Sequence, residues 1–225
     1  MIIFDPRNRV YISSKLRDTG YTSSFGTRLS RNPQNHRIVM KQVHGDKIVK
    51  ITAQNIDREK FQNTDGMITR LNGVTLIVKT ADCVPIIFAD TLSSILGVSH
   101  QGWRGTLLNL PLKMVNFLAK EGVQKENIIV AIGPSISACC YKIYGDRLDL
   151  FRKTFPRYVD RIFIKNNNDI FLNLGYLAYL QLVDAGIQKN NIDYFPFCTS
   201  CHKDHFYSYN RDKSTKRMES WIAKY

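Results

Sequence analysis

The predicted fold depends on two neighbouring stretches, Thr80-Ala-Asp-Cys-Val-Pro-Ile-Ile-Phe-Ala-Asp90 and Ser99-His-Gln-Gly-Trp-Arg-Gly105. Cys83 stands just before the apolar run Val84–Ala89, and His100 stands just after a second short apolar run. Short apolar runs bounded by turn residues are typical of buried strands. We therefore predict two adjacent strands that hold a thiol and an imidazole at neighbouring ends, where a rigid scaffold directs reactive groups into a cleft.

The remaining elements are predicted from periodicity and turn residues. Strands are expected over residues 9–13, 36–44, 47–52, 67–70, 74–79, 84–89, 94–99, 128–132, 192–197 and 206–209. Residues 20–30 read as a loop, and Gly45-Asp46 as the turn of a hairpin. Helices are expected from Thr106 to Gly122, over 146–155, and from Asn173 to Gly186. With no linker or repeat, the sequence predicts one αβ domain.

Composition limits the possible classes of protein. The chain has 225 residues, of which 44% are hydrophobic and 23% charged, as in an ordinary globular protein. No apolar run approaches the roughly 20 residues that span a membrane. Residues 1–10 carry Asp5 and Pro6 where a signal peptide needs an unbroken apolar core. We therefore expect a cytoplasmic protein without a membrane partner.

A net charge of +13 predicts attraction to anions such as phosphate esters and nucleic acid. The lysines and arginines are scattered, and no recognised nucleic-acid module accompanies them. Nucleic-acid binding is therefore not predicted as the primary role. A non-enzymatic polyanion-binding protein stays open as an alternative, with salt-dependent binding as its mark.

The odd cysteine count of five, in a chain without an export signal, predicts free thiols or metal ligands rather than a disulfide framework. Cys198-Thr-Ser-Cys201-His202 matches the short haem-attachment pattern, but that pattern belongs to exported chains. The spacing of Cys198 and Cys201 also fits one half of a structural zinc site, which stays open as an alternative. Because adjacent cysteines rarely share one ion, we expect Cys139 and Cys140 to lie in a packed, reduced loop.

Three potential metal ligands lie beside turns or strand ends, namely His44, Cys83 and His100. Their separations of 39 and 17 residues are too wide for a single-loop zinc knuckle but suit converging strands. Two imidazoles and one thiolate leave a fourth position open, as catalytic zinc sites do. The alternative is two hydrogen-bonded histidines beside a buried thiol.

Two cationic segments are candidates for anion binding. Arg104 stands at the predicted helix start, where a guanidinium and free backbone N–H groups form an anion site, or it stacks on Trp103. The segment 205–212 interleaves aromatic residues with Arg211, which suits stacking a base and holding a phosphate. A cross-strand aromatic ladder is the alternative for that segment.

Several motifs in order resemble one family. They are Lys41-Gln-Val-His-Gly45, Thr80-Ala-Asp-Cys-Val-Pro85, His100-Gln-Gly-Trp-Arg-Gly105, Ile132-Gly-Pro134, and Cys198-Thr with Phe206-Tyr-Ser-Tyr209. From about Val39 onward the chain resembles the bacterial polyphenol oxidase or laccase-domain proteins, regarded as multifunctional purine nucleoside enzymes. The resemblance implies an α+β fold, a layered αββα sandwich of mixed sheets with flanking helices. It also implies a single domain over residues 1–225, in which 1–35 are divergent and shortened.

The resemblance further implies that His44, Cys83 and His100 bind a catalytic zinc. The implied reactions are phosphorolysis of adenosine, inosine and methylthioadenosine, with phosphate as second substrate, and deamination of adenosine. The residues implied at the site beside the metal ligands are Gln42, Asp82, Arg104 and Arg211. Asp82 and Asp65 are the candidate proton carriers, since zinc-dependent deamination needs a carboxylate or its equivalent.

This chain departs from the family pattern at several positions, none of which is one of the three metal ligands. Gln101 replaces a small residue, and Ser135 stands where the family has cysteine. The tail carries Asn210 for an arginine and Lys216 for a glycine, and Thr22-Ser23-Ser24 only faintly matches the N-terminal motif. We expect an intact metal site with a shifted substrate preference or weaker turnover.

Two other enzyme classes remain open. Cys83 and His100 also suit the thiolate–imidazole pair of a cysteine hydrolase or amidase. A copper-dependent phenol oxidase is the third reading, because the same residues can bind one copper ion. The chain lacks the many histidines of a multicopper oxidase, which disfavours that reading.

Overall fold

Two six-stranded sheets face each other in the computed structural model, which describes residues 1–33, 36–56 and 61–225. The strands are β1 Ile2–Asp5, β2 Val10–Ser13, β3 Thr22–Gly26, β4 Arg37–Val39, β5 Ile48–Ile51, β6 Gly66–Thr69, β7 Val74–Thr80, β8 Val84–Asp90, β9 Leu96–Gln101, β10 Ile128–Ile132, β11 Lys142–Ile143, β12 Phe163–Asn166, β13 Asp169–Leu172, β14 Ile192–Tyr194 and β15 Met218–Lys224. The helices are α1 Ser14–Arg17, α2 Trp103–Leu107, α3 Leu110–Lys120, α4 Gly145–Thr154, α5 Val159–Ile162, α6 Leu174–Asp184 and α7 Tyr209–Asp212.

The first sheet has the strand order β1-β2-β3-β15-β7-β4, and the second has the order β14-β10-β8-β9-β6-β5. Strands β11, β13 and β12 form a small third sheet. Most neighbouring strands run antiparallel, whereas β4 with β7, β5 with β6 and β10 with β14 run parallel. The α+β fold of mixed sheets predicted from the family resemblance is confirmed.

Strand β8 is buried on both faces, which explains its continuous apolar sequence. Ile86 and Phe88 pack with the helices on the outer side of the second sheet. Ile87 and Ala89 point the other way and pack between the two sheets. Because successive side chains alternate between faces, this single strand joins both parts of the core.

Helices α3 and α6 cover the outer side of the second sheet with side chains such as Met114, Leu118 and Leu177. Asn173 begins α6 as predicted, because its side chain accepts a hydrogen bond of 3.0 Å from the amide of Tyr176. Within the described ranges, no helix combines the length and the apolar character that a membrane span requires.

The single helix predicted from Thr106 is wrong. Thr106 lies inside α2, where its hydroxyl donates to the carbonyl of Gly102 at 3.0 Å. Asn109 then adopts a left-handed conformation with φ of 56°, which ends α2 before α3 begins. Pro111 in the first turn of α3 fits this break, since proline is tolerated at a helix start.

The predicted hairpin around Gly45-Asp46 is also wrong. Strand β4 pairs with β7 in the first sheet, whereas β5 pairs with β6 in the second. The connection crosses between the sheets, and His44 within it has a φ of 63°. A turn dipeptide reports a change of direction, but it does not report which strand pairs next.

Two further segments differ from expectation because their partners are distant in sequence. The predicted loop 20–30 contains β3, whose Phe25 is fully buried and pairs with Ser220 of β15. The predicted strand 206–209 is irregular and leads into α7, whose N-cap Ser208 accepts a hydrogen bond from the amide of Arg211 at 3.1 Å.

Candidate active site

Cys83 and His100 come together at the edge of the second sheet, as the sequence predicts. Strands β8 and β9 are antiparallel neighbours in which Pro85 lies opposite His100. Cys83 directly precedes β8, so its sulfur lies beside the imidazole of the adjacent strand. His100 is buried and lies within β9 rather than after it.

His44 completes the predicted trio from the crossing connection between the sheets. Ligand atoms of His44, Cys83 and His100 all lie within 4.8 Å of one another. The two imidazole rings meet edge to face, with their centroids 4.8 Å apart. His44 is exposed on its outer side, so the trio is open to solvent at this point.

Asp65, which begins the turn into β6, holds two of these side chains in place. Its Oδ1 contacts Nδ1 of His100 at 2.8 Å and accepts from the amide of His44 at 3.0 Å. Its Oδ2 accepts from the amides of Val43 and Gly45 at 3.2 and 2.8 Å. Burial by itself raises the pKa of Asp65, but these hydrogen bonds outweigh burial and lower it. The carboxylate therefore fixes Nδ1 of His100 as the donor and turns Nε2 toward Cys83.

The thiol of Cys83 and the imidazole of His100 shift each other's pKa. Burial raises the pKa of Cys83, but His100 and His44 outweigh burial and bring it to about 6. Burial lowers the pKa of His100, but Cys83 and Asp65 raise it to about 9. At neutral pH the metal-free site therefore holds a thiolate beside an imidazolium.

Gly102 makes room for the trio. A Cβ atom on this residue would lie 2.5 Å from Cδ2 of His44 and 3.5 Å from the sulfur of Cys83. Real Cβ atoms do not approach other atoms at the shorter distance, so any side chain here displaces the imidazole. The glycine between His100 and Trp103 is thus explained by close packing around the ligands.

A cavity of about 650 Å³ opens beside the trio, within the size range of small-molecule sites. Its lining combines cations, aromatic rings and the three candidate ligands. The cationic members are Lys79, Arg104, Arg147, Lys213 and Arg217. The aromatic members are Trp103, Tyr141 and Tyr209. Such a lining suits a planar aromatic ligand that carries or accompanies an anion.

Arg104 and Arg147 both lie against the indole of Trp103, with guanidinium carbons 4.6 and 4.5 Å from the ring centroid. Arg104 therefore stacks on Trp103, as one of the two interpretations predicted, and it also lines the cavity, where its anion binding stays a prediction. Arg147, on α4, was missed because nothing local in its helix indicates the cavity. Only the packing of α4 beside α2 brings it there.

Arg211 lies behind the cavity wall, outside the lining residues. Its guanidinium donates to the carbonyl oxygens of Thr199 at 3.1 Å, Ser200 at 2.9 Å and Phe206 at 3.1 Å. It also pairs with Asp212. The structure thus gives Arg211 contacts within the segment 199–212 and a place outside the cavity lining, which differs from the substrate-facing position expected from the sequence.

Asp82 lines the cavity but its carboxylate faces the C-terminal loops. It accepts from the hydroxyls of Thr199 at 2.7 Å and Ser208 at 3.0 Å, and from the amide of Asn210 at 2.7 Å. Its φ of 86° places Cys83 at the mouth of β8. Asp82 therefore joins the ligand strand to the loops that close the cavity.

Gln42 lies at the edge of the same cavity. Its side-chain amide makes two hydrogen bonds of 2.8 Å with the backbone N–H and carbonyl of Lys79. It thereby fixes the connection that carries His44 against β7.

The fold and site define a mixed α+β protein in which two imidazoles and one thiolate adjoin a cationic cavity. This donor set fits a borderline-soft ion such as zinc or copper, with one coordination position left open. The family model described as multi-copper polyphenol oxidoreductase laccase matches residues 23–224. The chain therefore belongs to this family.

Relatives with assigned names are similar over most of this chain. The Bacillus subtilis purine nucleoside phosphorylase YlmD is 34% identical, over 81% of this chain and 68% of its own length. The adenosine deaminase RL5, from an unknown prokaryotic organism, is 30% identical over 77% of this chain and 69% of its own. The human purine nucleoside phosphorylase LACC1 is 36% identical over 69% of this chain. The aligned part covers only 36% of the human and mouse LACC1 proteins.

A solved structure agrees with the fold along the whole chain. The Bacillus licheniformis hypothetical protein YfiH superposes with a TM-score of 0.88 at 25% sequence identity. The superposition covers 100% of this chain and 99% of that protein.

Proposed function

We propose that this chain is a zinc-dependent purine nucleoside enzyme and that its main reaction is phosphorolysis. The observation that carries the proposal is the His44, Cys83 and His100 trio at the edge of a cavity lined by five cationic side chains. Relatives named purine nucleoside phosphorylase support it. The expected nucleosides are adenosine, inosine and methylthioadenosine.

In phosphorolysis, a phosphate oxygen bonds to C1′ of the ribose while the bond from C1′ to the purine nitrogen breaks. The purine leaves with that electron pair and takes up a proton, and the sugar keeps the phosphate. Arg104 and Arg147, side by side on Trp103, supply two positive charges that can hold and orient a phosphate. Their fixed position favours the charge that develops between phosphate and sugar.

The purine suits the aromatic part of the cavity. Trp103, Tyr141 and Tyr209 provide rings for stacking, and Leu174 and Ile136 add apolar surface. Thr80 lines the same space as a residue, although its hydroxyl oxygen is buried away from the cavity.

His44, Cys83 and His100 would hold the zinc ion, which would supply positive charge and an open coordination position able to polarise a bound group. The protein's own part is to hold those ligands. Asp65 keeps Nε2 of His100 directed at the site, and Gly102 keeps space for the ring of His44. Asp82 keeps Cys83 aligned with the C-terminal loops that wall the cavity.

Deamination of adenosine is the second candidate. It is favoured by the open fourth position and by the relative named adenosine deaminase RL5. Water adds to C6 of the purine, and the amino group leaves as ammonia after accepting a proton. Among the described residues that line the cavity, Asp82 is the only carboxylate available to carry that proton. The carboxylate of Asp82 already accepts hydrogen bonds from three donors, so it is poorly placed to carry a proton. We therefore regard phosphorolysis as the better-supported reaction.

The cysteine hydrolase reading uses the same residues without metal. Cys83, His100 and Asp65 have the order of a nucleophile, base and orienting carboxylate. The second imidazole, that of His44, also hydrogen-bonds the sulfur of Cys83, and a triad of this kind has no role for it. We therefore favour the metal reading, and zinc over copper because the trio has two histidines rather than a multicopper set.

The test is chromatography of adenosine incubated with metal-quantified protein, with and without inorganic phosphate. We expect adenine and ribose 1-phosphate only when phosphate is present, with zinc bound in stoichiometric amount. Inosine formed with or without phosphate would place deamination first. Full activity in metal-free protein would contradict the zinc enzyme. If that activity is then lost on thiol alkylation, and added zinc does not protect it, the cysteine hydrolase is the supported function.

A further inference from the structure

Two cysteine pairs that are far apart in sequence meet behind the active-site cavity. We call them the cysteine cluster, which consists of Cys139, Cys140, Cys198 and Cys201. The four sulfur atoms all lie within 4.8 Å of one another. The sulfur of Cys201 is 3.3 Å from that of Cys139 and 3.4 Å from that of Cys140. The sequence predicts a packed, reduced loop for the adjacent pair, and it does not predict this meeting.

The backbone holds the two loops in register. Ser135 and Cys198 form a parallel bridge, and the amide of Thr199 donates to the carbonyl of Ser135 at 3.0 Å. The amide of Ser137 donates to the sulfur of Cys198 at 3.4 Å. A neutral thiol is a weak acceptor, whereas a metal-bound thiolate carries charge that such an N–H stabilises.

The sulfur arrangement fits a tetrahedral ion better than a disulfide. With zinc–sulfur bonds of about 2.3 Å, a regular tetrahedron places its sulfurs about 3.8 Å apart. The observed separations, from 3.3 Å up to no more than 4.8 Å, surround that value. A disulfide of about 2.05 Å would join one pair and leave the other two thiols beside it without a role.

We propose that the cysteine cluster binds a structural zinc ion through all four sulfurs, at a site separate from the His44, Cys83 and His100 trio. Four protein ligands leave no open position, which is the mark of a structural site. Four thiolates and one zinc ion give a net charge of −2. Arg211 donates to the carbonyls of Thr199 and Ser200, the residues between two of the ligands, and so holds this stretch of backbone in place.

The ion would fasten together two loops that border the cavity. The first loop contributes Ile136 and Tyr141 to the cavity lining, and the second leads to Tyr209 and Asn210. Asn210 also reaches back to the carbonyl of Cys140 at 3.4 Å. Zinc at the cluster would therefore fix the part of the cavity wall that these two loops form, and this role does not depend on which reaction the trio performs.

Metal analysis of the full chain tests the proposal, with Cys83→Ala as the variant that removes the trio. Cys83→Ala is expected to retain one zinc per chain, and its zinc X-ray absorption should show a shell of sulfur alone at about 2.3 Å. Cobalt introduced into this variant should give the intense visible and sulfur charge-transfer bands of a tetrahedral tetrathiolate. Adding Cys201→Ser should remove both signals.

Three results would overturn the proposal. One is Cys83→Ala that binds no zinc while its circular dichroism is native. Another is a native-protein mass showing the loss of two hydrogens, with the disulfide mapped within the cluster. The third is iron in place of zinc. Because X-ray absorption of Cys83→Ala needs no change at the cluster, the test stands even where Cys201→Ser does not fold.

Discussion

The trio and the cysteine cluster both gather sulfur ligands, but they differ in number, support and exposure to the cavity. The trio has three ligands on or beside strand ends, with a buried carboxylate behind His100. The cluster has four ligands on two loops, supported by backbone amides and carbonyls. Three ligands leave a position for chemistry, whereas four close the site. According to the two proposals above, zinc would serve the reaction at the trio and the architecture at the cluster.

The largest expected effect separates the two regions directly. Cys83→Ala should abolish nucleoside turnover, because it removes one of three ligands and the thiolate at the cavity edge. Turnover is measured by chromatography of purine release, and metal content by mass spectrometry. Cys201→Ser is the matched variant. It should lower the melting temperature and raise the KM while leaving measurable kcat.

Equal loss of turnover in both variants, at unchanged stability, would contradict the division into a reactive and an architectural site. Added zinc should restore part of the melting temperature of Cys201→Ser, since a three-sulfur remnant binds zinc less tightly than the complete set but still stabilises the folded chain when it is filled.

Asp65→Asn removes the negative charge that supports the trio but does not touch the cysteine cluster. Removing a carboxylate that hydrogen-bonds a metal ligand typically costs ~10–100-fold in metal affinity or activity, and we expect a loss in that range. The physical reason is that His100 loses its charged partner and His44 loses an anionic acceptor at its backbone amide. Zinc affinity is measured by competition with a chelating dye. Asp46→Asn, an exposed carboxylate in the same connection, is the control and should have no effect.

Arg147→Gln tests whether the cationic cavity holds phosphate. Loss of one charged hydrogen bond costs about 1.5 kcal/mol, so the KM for phosphate should rise about tenfold with little change in kcat. Steady-state kinetics at varied phosphate give both constants. Arg152→Gln on the same helix is the control, because Arg152 lies outside the cavity lining and pairs with Asp149 at 3.8 Å. An unchanged KM would assign phosphate to another part of the cavity.

The smallest expected effect appears in metal-free protein and concerns thiol reactivity. The thiolate is the nucleophile, so alkylation of Cys83 should rise through pH of about 6, its lowered pKa, and level off above it. Cys139 should stay unreactive to higher pH, because burial and the neighbouring thiols raise its pKa. Peptide mapping after timed exposure to iodoacetamide measures both rates. A Cys83 rate that rises only near pH 8.5, the usual range for a thiol, would contradict the coupled pair.

The sequence predicted the trio more completely than its surroundings, for a physical reason. Apolar runs mark the strands that end near Cys83 and His100, and strand ends meet wherever neighbouring strands pair. Family motifs then joined His44 to them. Asp65 was expected to carry protons, and the structure instead places it as the hydrogen-bond partner of His100.

Features that depend on packing between distant segments were not predictable in this way. Arg147 reaches the cavity only through the placement of α4, and the cysteine cluster only through the pairing of two loops. Strand β3 has a loop-like composition, and its burial depends on β15. Local patterns therefore predicted most strands and two of the long helices. They failed for the hairpin at Gly45-Asp46, for β3 and for the segment 206–209, because the structure of these segments depends on contacts with distant parts of the chain.

Strand β15 lies between β3 and β7, in the interior of the first sheet, although it follows every other strand in the sequence. During synthesis, the strands on its two sides leave the ribosome long before it does. Each then presents an unpaired edge, which is the kind of surface that recruits chaperones or other chains. We expect the nascent protein to fold only once β15 has emerged, and slowly, because its pairing spans most of the chain. Prematurely terminated chains would then stay unfolded and open to proteolysis, so that the cell removes them before they bind metal.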